Sequence, residues 1–515
     1  MKQTLFILST VATLMFSSAF AQNKLTIDAS KDGPQISKYI YGHFAEHLGR
    51  CIYDGIWVGP DSPIPNINGY RKDVFEALKA LDIPVLRWPG GCFADTYQWK
   101  NGIGPRETRP KIKNVFWGGV IEDNSFGTHE FLELCEMLGS EAYVSVNVGS
   151  ATVWDMVEWI EYMTSDEDLP MANLRRQNGR EKPWNVKFLG IGNESWGCGG
   201  NMTPEFYSDL LRQYSTYAWE YGRDKMTRVG CGANGADYNW TRVVMQKAAR
   251  HMDALSVHYY TIAGPGWNNK TSATGFGEDL YFSGIRAGLV MDNLLKRHIS
   301  IMDEYDPRKR IGLYVDEWGI WTDVEPGTNP GFLFQQNSMR DALIAATTLD
   351  IFNKYSDRVR MANIAQTVNV LQAMILTEGN KMLLTPTYHI FNMYKVHGDA
   401  NLLNSTLVTE NYSFGNESVP AISQTVSKDA NGKIHISLSN VNAKKEVKVI
   451  VDMVGGTIKK VNKGEILTAP IYNAINTFDK PSAVKTTDFK GYKLVNANTL
   501  EVTLPALSAV TLQVE

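Results

Sequence analysis

Short apolar, β-prone runs alternate with amphipathic stretches along most of the chain. The runs are Ile40–Phe44, Val85–Trp88, Ala142–Asn147, Phe188–Gly192, Arg228–Cys231, Leu255–His258, Gly312–Val315 and Ala362–Val368. Each closes on Gly, Asn or a charged residue, as buried strands do. Between them, Asp73–Leu81 and Pro204–Tyr214 repeat apolar residues at helical spacing, and Thr203 stands as N-cap before Pro204 at the first helical position. Eight strands alternating with helices predict an α/β chain, a (β/α)8 TIM barrel. An open doubly wound sheet is the competing arrangement, but no G-x-G-x-x-G follows the first strand.

Past a helical segment at Thr387–Lys395 the texture changes. His435–Ser439, Val447–Val451, Leu500–Leu504 and Val510–Val514 alternate with period two, and no helical run separates them. This predicts a C-terminal antiparallel β-sandwich domain. Lys24–Asp28 alternates in the same way, so the chain start is expected to add a strand to that domain. The expected division is 22–38 for this joining strand, 39–398 for the catalytic barrel and 399–515 for the sandwich.

Residues 1–21 have a basic start, an apolar run from Leu5 to Phe20 and a small-x-small end at Ala19-Phe20-Ala21. They read as a signal peptide, which predicts export to the periplasm or beyond. The run is short of the ~20 apolar residues that span a bilayer, and no membrane attachment is expected. A net charge of -4 leaves no basic footprint for nucleic acid, so a neutral partner fits best. The five cysteines, Cys51, Cys92, Cys135, Cys198 and Cys231, are an odd number, so at least one is free or pairs between chains. Cys135 sits on the apolar face of a helical stretch and reads as core.

In a TIM barrel the chemistry lies at the C-terminal ends of the strands. Glu46, Arg87, Asn147, Asn193, Glu194, His258, Glu317 and Gln366 each fall at or just past such an end. Any one of them would be unremarkable there, whereas the full series is hard to assign to chance. Glu194 and Glu317 close the fourth and seventh barrel strands, 123 residues apart, and each is followed by a Trp within two residues. Two carboxyl groups facing one another across a barrel mouth suit retaining glycoside hydrolysis, where one donates a proton and the other attacks the anomeric carbon. Arg87 would help hold the ionised partner; residue types alone leave open which glutamate does which.

The strings Tyr41-Gly42-His43-Phe44-Ala45-Glu46-His47, Arg87-Trp88-Pro89-Gly90-Gly91, Gly192-Asn193-Glu194 and Asp316-Glu317-Trp318 resemble family 51 of the glycoside hydrolases, the α-L-arabinofuranosidases. The resemblance runs from about Leu25 to the C-terminus. It implies Glu194 as acid/base and Glu317 as nucleophile, with Glu46, Asn193, His258, Tyr260 and Gln366 lining the sugar pocket and Trp117 in its wall. It also implies exo-acting release of terminal α-L-arabinofuranosyl groups from plant polysaccharide or oligosaccharide, without cofactor or metal, and homo-oligomers are frequent in the family. Some members carry Asn where this chain has Cys92, which puts one sugar contact in doubt. Cys198 could approach Cys92 at the barrel mouth, and export would permit a disulfide between them.

Other readings remain beside this one. Another retaining activity on the same barrel, an endoglucanase or β-xylosidase, would want an open cleft. A catalytically inert carbohydrate-binding protein is disfavoured by the presence of both carboxylates. The loop Gly264–Gly277 is long enough to wall a pocket. His43, Glu46 and His47 are spaced like an inverted zincin motif, but that motif needs a helix, and these residues end a strand. Cys198 as a nucleophile would lack a base.

Overall fold

A computed structural model describes residues 23–222 and 224–515. Residues 1–21, read above as a signal peptide, lie outside the described residues. Strand β1 (Asn23–Gln35) precedes the barrel. Strands β2 (Gly42–Phe44), β3 (Val85–Trp88), β4 (Glu141–Val146), β5 (Val186–Ile191), β6 (Thr227–Asn234), β7 (Ala254–Thr261), β8 (Gly312–Ile320) and β9 (Val359–Ala365) close the barrel in sequence order. β9 pairs back onto β2 in parallel register, Asn363 opposite Gly42. Each expected run therefore falls on one strand. The first is shorter than expected: Ile40 and Tyr41 belong to a 3-10 turn, because Ser37 Oγ accepts the Tyr39 N–H and starts that turn instead. Gly42 then lets the strand enter where a Cβ would meet Asn363 and Val85 at 2.6 Å.

The lower barrel is filled. Val85, Tyr143, Phe188, Val229, Ala254, Tyr314 and Met361, one from each of seven strands, pack into a separate buried cluster. Such layering is how small parallel barrels fill their interior. It leaves the strand ends above as the place for a site. Around the barrel the helices follow their sequence signals. Helix α1 (Lys72–Leu81) buries Val74, Ala77, Leu78 and Leu81. Helix α2 (Pro204–Tyr217) starts with Thr203 accepting the Phe206 N–H and Pro204 in its first turn, which satisfies one of the donors a helix start leaves open.

The C-terminal strands are β10 (Asn401–Val408), β11 (Ile422–Lys428), β12 (Ile434–Asn440), β13 (Val447–Val454), β14 (Val461–Thr468), β15 (Thr487–Asp488), β16 (Tyr492–Asn496), β17 (Thr499–Leu504) and β18 (Ser508–Val514). They are hydrogen-bonded in the order β15-β14-β18-β12-β11-β10-β1-β13-β17-β16. All pairs are antiparallel except β1 with β13. β1 thus joins two halves of the sheet, with Leu25 paired to Leu407 on one side and Val451 on the other. Helix α3 (Met339–Lys354) is buried along its whole length except Lys354, as a helix held between two layers must be. It binds the sheet through Asp350, whose two carboxyl oxygens accept from Ser423 and Thr425 at 2.6 Å, and through Asn353, which donates to Thr425.

Because Ile27 is fully buried in a strand that bridges both halves of this sheet, Ile27→Ala is expected to lower the unfolding free energy by about 2–5 kcal/mol. Denaturant unfolding with an unchanged m-value checks this. A loss below about 0.5 kcal/mol, as at a surface site, would show that β1 is not held in the sheet.

Candidate active site

The site is built on the turns that leave the strands. β5 ends at Ile191, and Gly192 (φ +83) and Glu194 (φ +41) both take left-handed backbone. A residue other than Gly with such a φ is costly and is found where the surroundings enforce it. Here the enforcement is visible: the Gly197 and Gly199 N–H groups both donate to the Glu194 carbonyl, at 2.7 and 3.1 Å. The turn carries the half-buried Glu194 side chain to the barrel mouth.

Glu317 reaches the same place from within β8. Its Oε1 accepts from Arg87 Nη1 at 2.8 Å and its Oε2 from the Tyr260 hydroxyl at 2.9 Å. The ladder loses register between Ser256 and His258 and between Val315 and Trp318. Such irregularities re-aim side chains near active sites, and here Asp316 and Glu317, neighbours in sequence, both meet Arg87 and His258. Arg87, 1% exposed, also donates to the Asp316 carbonyl at 3.2 Å and to Asn193 Oδ1 at 2.6 Å, while its guanidinium lies over the Phe44 ring.

His258 stands between the carboxylates. Its Nδ1 is 3.0 Å from Glu194 Oε1 and 3.4 Å from Glu317 Oε2, and its Nε2 is 3.1 Å from Asp316 Oδ1. Burial alone would depress its pKa, but the Glu317 charge and the hydrogen bonds to Asp316 and Glu194 push it up to about 10. It is therefore an imidazolium that donates from both nitrogens. Burial would raise the Asp316 carboxyl, yet Arg87 and His258, with the Tyr143 hydroxyl donating at 2.7 Å, hold it below the ordinary value. Glu194 is displaced the other way: burial raises it, the bond from His258 opposes, and the Glu317 charge raises it further. Oxygens of Glu194 and Glu317 lie within 4.8 Å of one another.

Glu46 forms the opposite wall. Its Oε1 accepts from the Phe93 N–H and from Trp117 Nε1, and its Oε2 accepts from Gln366 Nε2. Burial, helped by the Glu317 charge and countered by these bonds, pushes its pKa up to about 7. Glu46, Cys92, Trp117, Glu194, Tyr260, Glu317 and Gln366 line one small cavity. Arg87, Asn193 and His258 stand just behind it, in contact with the carboxyl groups. Asn193 Nδ2 and Gln366 Oε1 are buried with no protein partner, the condition of groups that await a ligand's hydroxyls.

Several members of this site escaped the sequence reading. Trp321 lines the cavity and packs edge-on against Tyr260 and against Trp267 of the Gly264–Gly277 loop. Asp316 and Tyr143 hold the charged network. Asp95 accepts from the Val148 and Gly149 N–H groups behind the Glu194 turn, and burial pushes its pKa up to about 7. A carboxylate inside an otherwise apolar strand, as in Val315-Asp316-Glu317-Trp318, was the available signal, since a buried charge needs partners. Cys92 and Cys198 are joined in a disulfide, while Cys51, Cys135 and Cys231 are free and buried. Both sulfur atoms of the disulfide face Glu194 Oε2, at 3.8 and 3.4 Å. His43 and His47 point into separate packings, one against Phe391 and the other accepting from Trp88 Nε1.

Comparison with known proteins places these features among relatives. Residues 77–270 match the family described as "Alpha-L-arabinofuranosidase 1 domain", and residues 316–508 match "Alpha-L-arabinofuranosidase C-terminal domain". A Bacteroides ovatus protein named "Intracellular exo-alpha-L-arabinofuranosidase" is 55% identical over 98% of this chain and 100% of its own. The crystal structure of the GH51 arabinofuranosidase from Xanthomonas axonopodis pv. citri superposes with a TM-score of 0.94 at 48% identity, covering 96% of this chain and all of that one. The arabinose complex of the Thermotoga maritima α-L-arabinofuranosidase gives 0.83 at 31% identity with the same coverage. The expectation of an exported, periplasmic or extracellular protein is corrected by the first of these, whose name places it inside the cell. An apolar run closed by small residues weighs only a short terminal segment, whereas this identity weighs nearly the whole chain.

The raised carboxyl of Glu46 makes a prediction about stability. Between pH about 4.5, its ordinary value, and about 7, the folded chain holds a proton that the unfolded chain has lost. Stability therefore falls as pH rises across that window. Glu46→Gln keeps the shape and removes the titration, so its melting temperature should fall less steeply over that range. Asp95 and Asp350, both pushed up to about 7 by burial, contribute with the same sign and leave part of the slope. An unchanged slope in Glu46→Gln would show that Glu46 is not the strained group.

Proposed function

The chain belongs to family 51 of the glycoside hydrolases, the α-L-arabinofuranosidases, and from that premise we propose that Glu194 is the acid/base and Glu317 the nucleophile of a retaining reaction. It is an exo-acting α-L-arabinofuranosidase. The observation that carries the assignment of roles is the opposed setting of the two carboxyl groups: Glu317 is gripped by two donors, Arg87 and Tyr260, while burial and the Glu317 charge favour the protonated form of Glu194. An oxygen of each lies within 4.8 Å of an oxygen of the other, which supports direct attack over the wider setting that inversion needs to admit a water.

In the first step Glu194 gives its proton to the leaving glycosidic oxygen as Glu317 attacks the anomeric carbon, forming a β-linked glycosyl ester. The imidazolium of His258, 3.0 Å from Glu194 Oε1, stabilises the carboxylate left behind. Esterification removes the Glu317 charge that had raised Glu194, so the same residue now stays ionised and is free to act as the base. It then takes a proton from water, which attacks the ester and releases the sugar with its original α configuration. The small cavity walled by Trp117 and Trp321 favours a single terminal furanosyl group over an internal stretch of chain. With the intracellular setting that the Bacteroides ovatus relative's name supports, arabino-oligosaccharides are the fitting substrates.

Glu317→Ala is expected to abolish hydrolysis of an aryl α-L-arabinofuranoside. Glu194→Ala should lose about 10²–10⁴-fold on substrates with poor leaving groups. On an activated aryl substrate it should be rescued by azide as an α-configured adduct, formed by attack on the β-linked ester, and a β-configured adduct would sink the assignment. Asp316→Asn removes one of the carboxylates that favour the charged form of His258. Losing a hydrogen bond to a charged group costs about 1.5–3 kcal/mol, on the order of 10- to 100-fold in kcat. Because the His258 charge lowers Glu194, the alkaline limb of the pH profile should also move up; a limb that stays in place or moves down would exclude this role for Asp316.

A further inference from the structure

We infer that Cys92, Cys198 and Glu194 form, once their disulfide is reduced, a binding site for one thiophilic divalent cation such as Zn²⁺, and that its occupancy switches the enzyme off. Ligand atoms of the three residues lie within 4.8 Å of one another. In a tetrahedral site with Zn–S of about 2.3 Å and Zn–O of about 2.0 Å, sulfur and oxygen ligands stand about 3.5 Å apart. The two sulfur atoms already stand 3.8 and 3.4 Å from Glu194 Oε2. Only the sulfur pair must separate, and the Cα atoms, 5.5 Å apart, leave room for that by side-chain rotation.

The frame that presents the ligands does not depend on the disulfide. Cys198 is held by the turn in which the Gly197 and Gly199 N–H groups bind the Glu194 carbonyl. A Cβ on Gly199 would stand 1.9 Å from the Asn193 carbonyl oxygen, so this backbone is closely packed. Cys92 opens a short 3-10 helix (Cys92–Thr96) whose Phe93 N–H is bound to Glu46 and whose Asp95 is bound to the backbone of Val148 and Gly149. His258 occupies the other oxygen of Glu194, leaving Oε2 facing the sulfurs. Two thiolates and one carboxylate carry three negative charges toward the cation. The excess balances the neighbouring imidazolium.

The redox step is a two-electron reduction of the disulfide, in which the S–S bond breaks and two thiols form. A dithiol gives up its two thiol hydrogens and becomes a disulfide; a phosphine takes the oxygen of a water molecule and becomes a phosphine oxide, while the two protons of that water go to the two sulfurs. The cation then displaces both thiol protons and takes a lone pair of Glu194 Oε2, where the catalytic proton must sit. Thiolates select soft or borderline cations over Mg²⁺ and Ca²⁺. A disulfide at this place withholds both sulfur ligands, and a reducing compartment restores them. Cys198 is half-buried and Cys92 lines the open cavity, so reductant and metal reach the pair from the substrate side.

The loss of activity rests on Glu194 being the acid/base; the binding does not. The full-length enzyme is compared oxidised and after phosphine reduction, using Co²⁺ for its sulfur-to-metal charge-transfer absorption and Zn²⁺ for inhibition on an aryl α-L-arabinofuranoside. The reduced form should show the cobalt band with one equivalent bound. With Zn²⁺ it should lose about 100-fold or more in rate, the scale of a general acid's contribution, and regain it on chelation. The oxidised form should show neither effect. Cys198→Ser keeps Cys51, Cys135 and Cys231 and should show no band and no change from its own metal-free rate. Equal inhibition of oxidised and reduced enzyme, a band that survives Cys198→Ser, or no binding after reduction would each overturn the site. A cobalt band without loss of rate would overturn the switch and mark the role given to Glu194 as the premise that failed.

Discussion

A guanidinium buried at the mouth of the barrel is the constraint from which the rest of the site follows. Arg87 is 1% exposed, and an unpaired charge there would cost several kcal/mol. Its partners therefore had to be brought to it: Glu317 and the Asp316 carbonyl from β8, and Asn193 from the turn after β5. The layer beneath, with Tyr143 and Phe188, fills the lower barrel with buried side chains. Tyr143 belongs to both levels, since its ring packs in that layer while its hydroxyl reaches Asp316. Filling the barrel and orienting the catalytic carboxylates are one structural act.

The same network separates two glutamates of identical chemistry. Glu317 sits on the cationic side, between Arg87 and Tyr260. Glu194 sits across from it, where burial and the Glu317 charge favour its neutral form and the imidazolium of His258 limits how far. Attack by one changes the other, because the charge lost on forming the ester is the charge that held the proton on Glu194. The disulfide of Cys92 and Cys198 lies against the oxygen that must carry that proton, which couples the chemistry to the redox state of its surroundings.

The barrel was legible because each strand announced itself twice, by an apolar run and by the polar residue that ends it. Glu194 and Glu317 were legible for the same reason. Asp316 was not, since strict alternation would send it to the face opposite Glu317; the loss of register between Val315 and Trp318 is a property of strand pairing that no local pattern reports. Trp321 was hidden among the aromatic residues that fill the core. The place of β1 between β10 and β13, parallel to the latter, depends on contacts more than 360 residues apart in sequence. Alternation showed Lys24–Asp28 to be a strand of the C-terminal domain but not between which strands it would lie. The terminal apolar run misled as to compartment because it is short and generic.

Retention through a glycosyl ester requires that Glu317 become covalently bonded to the sugar. Its most direct test is to incubate Glu194→Ala, in which hydrolysis of the ester is slowed, with an activated aryl α-L-arabinofuranoside, quench in acid and map the adduct by peptide mass spectrometry. A single pentosyl group, the mass of one pentose less one water, is expected on the Glu317 side chain within β8. A pentosyl group on any other residue, or none while aryl alcohol is released in a burst, would contradict it.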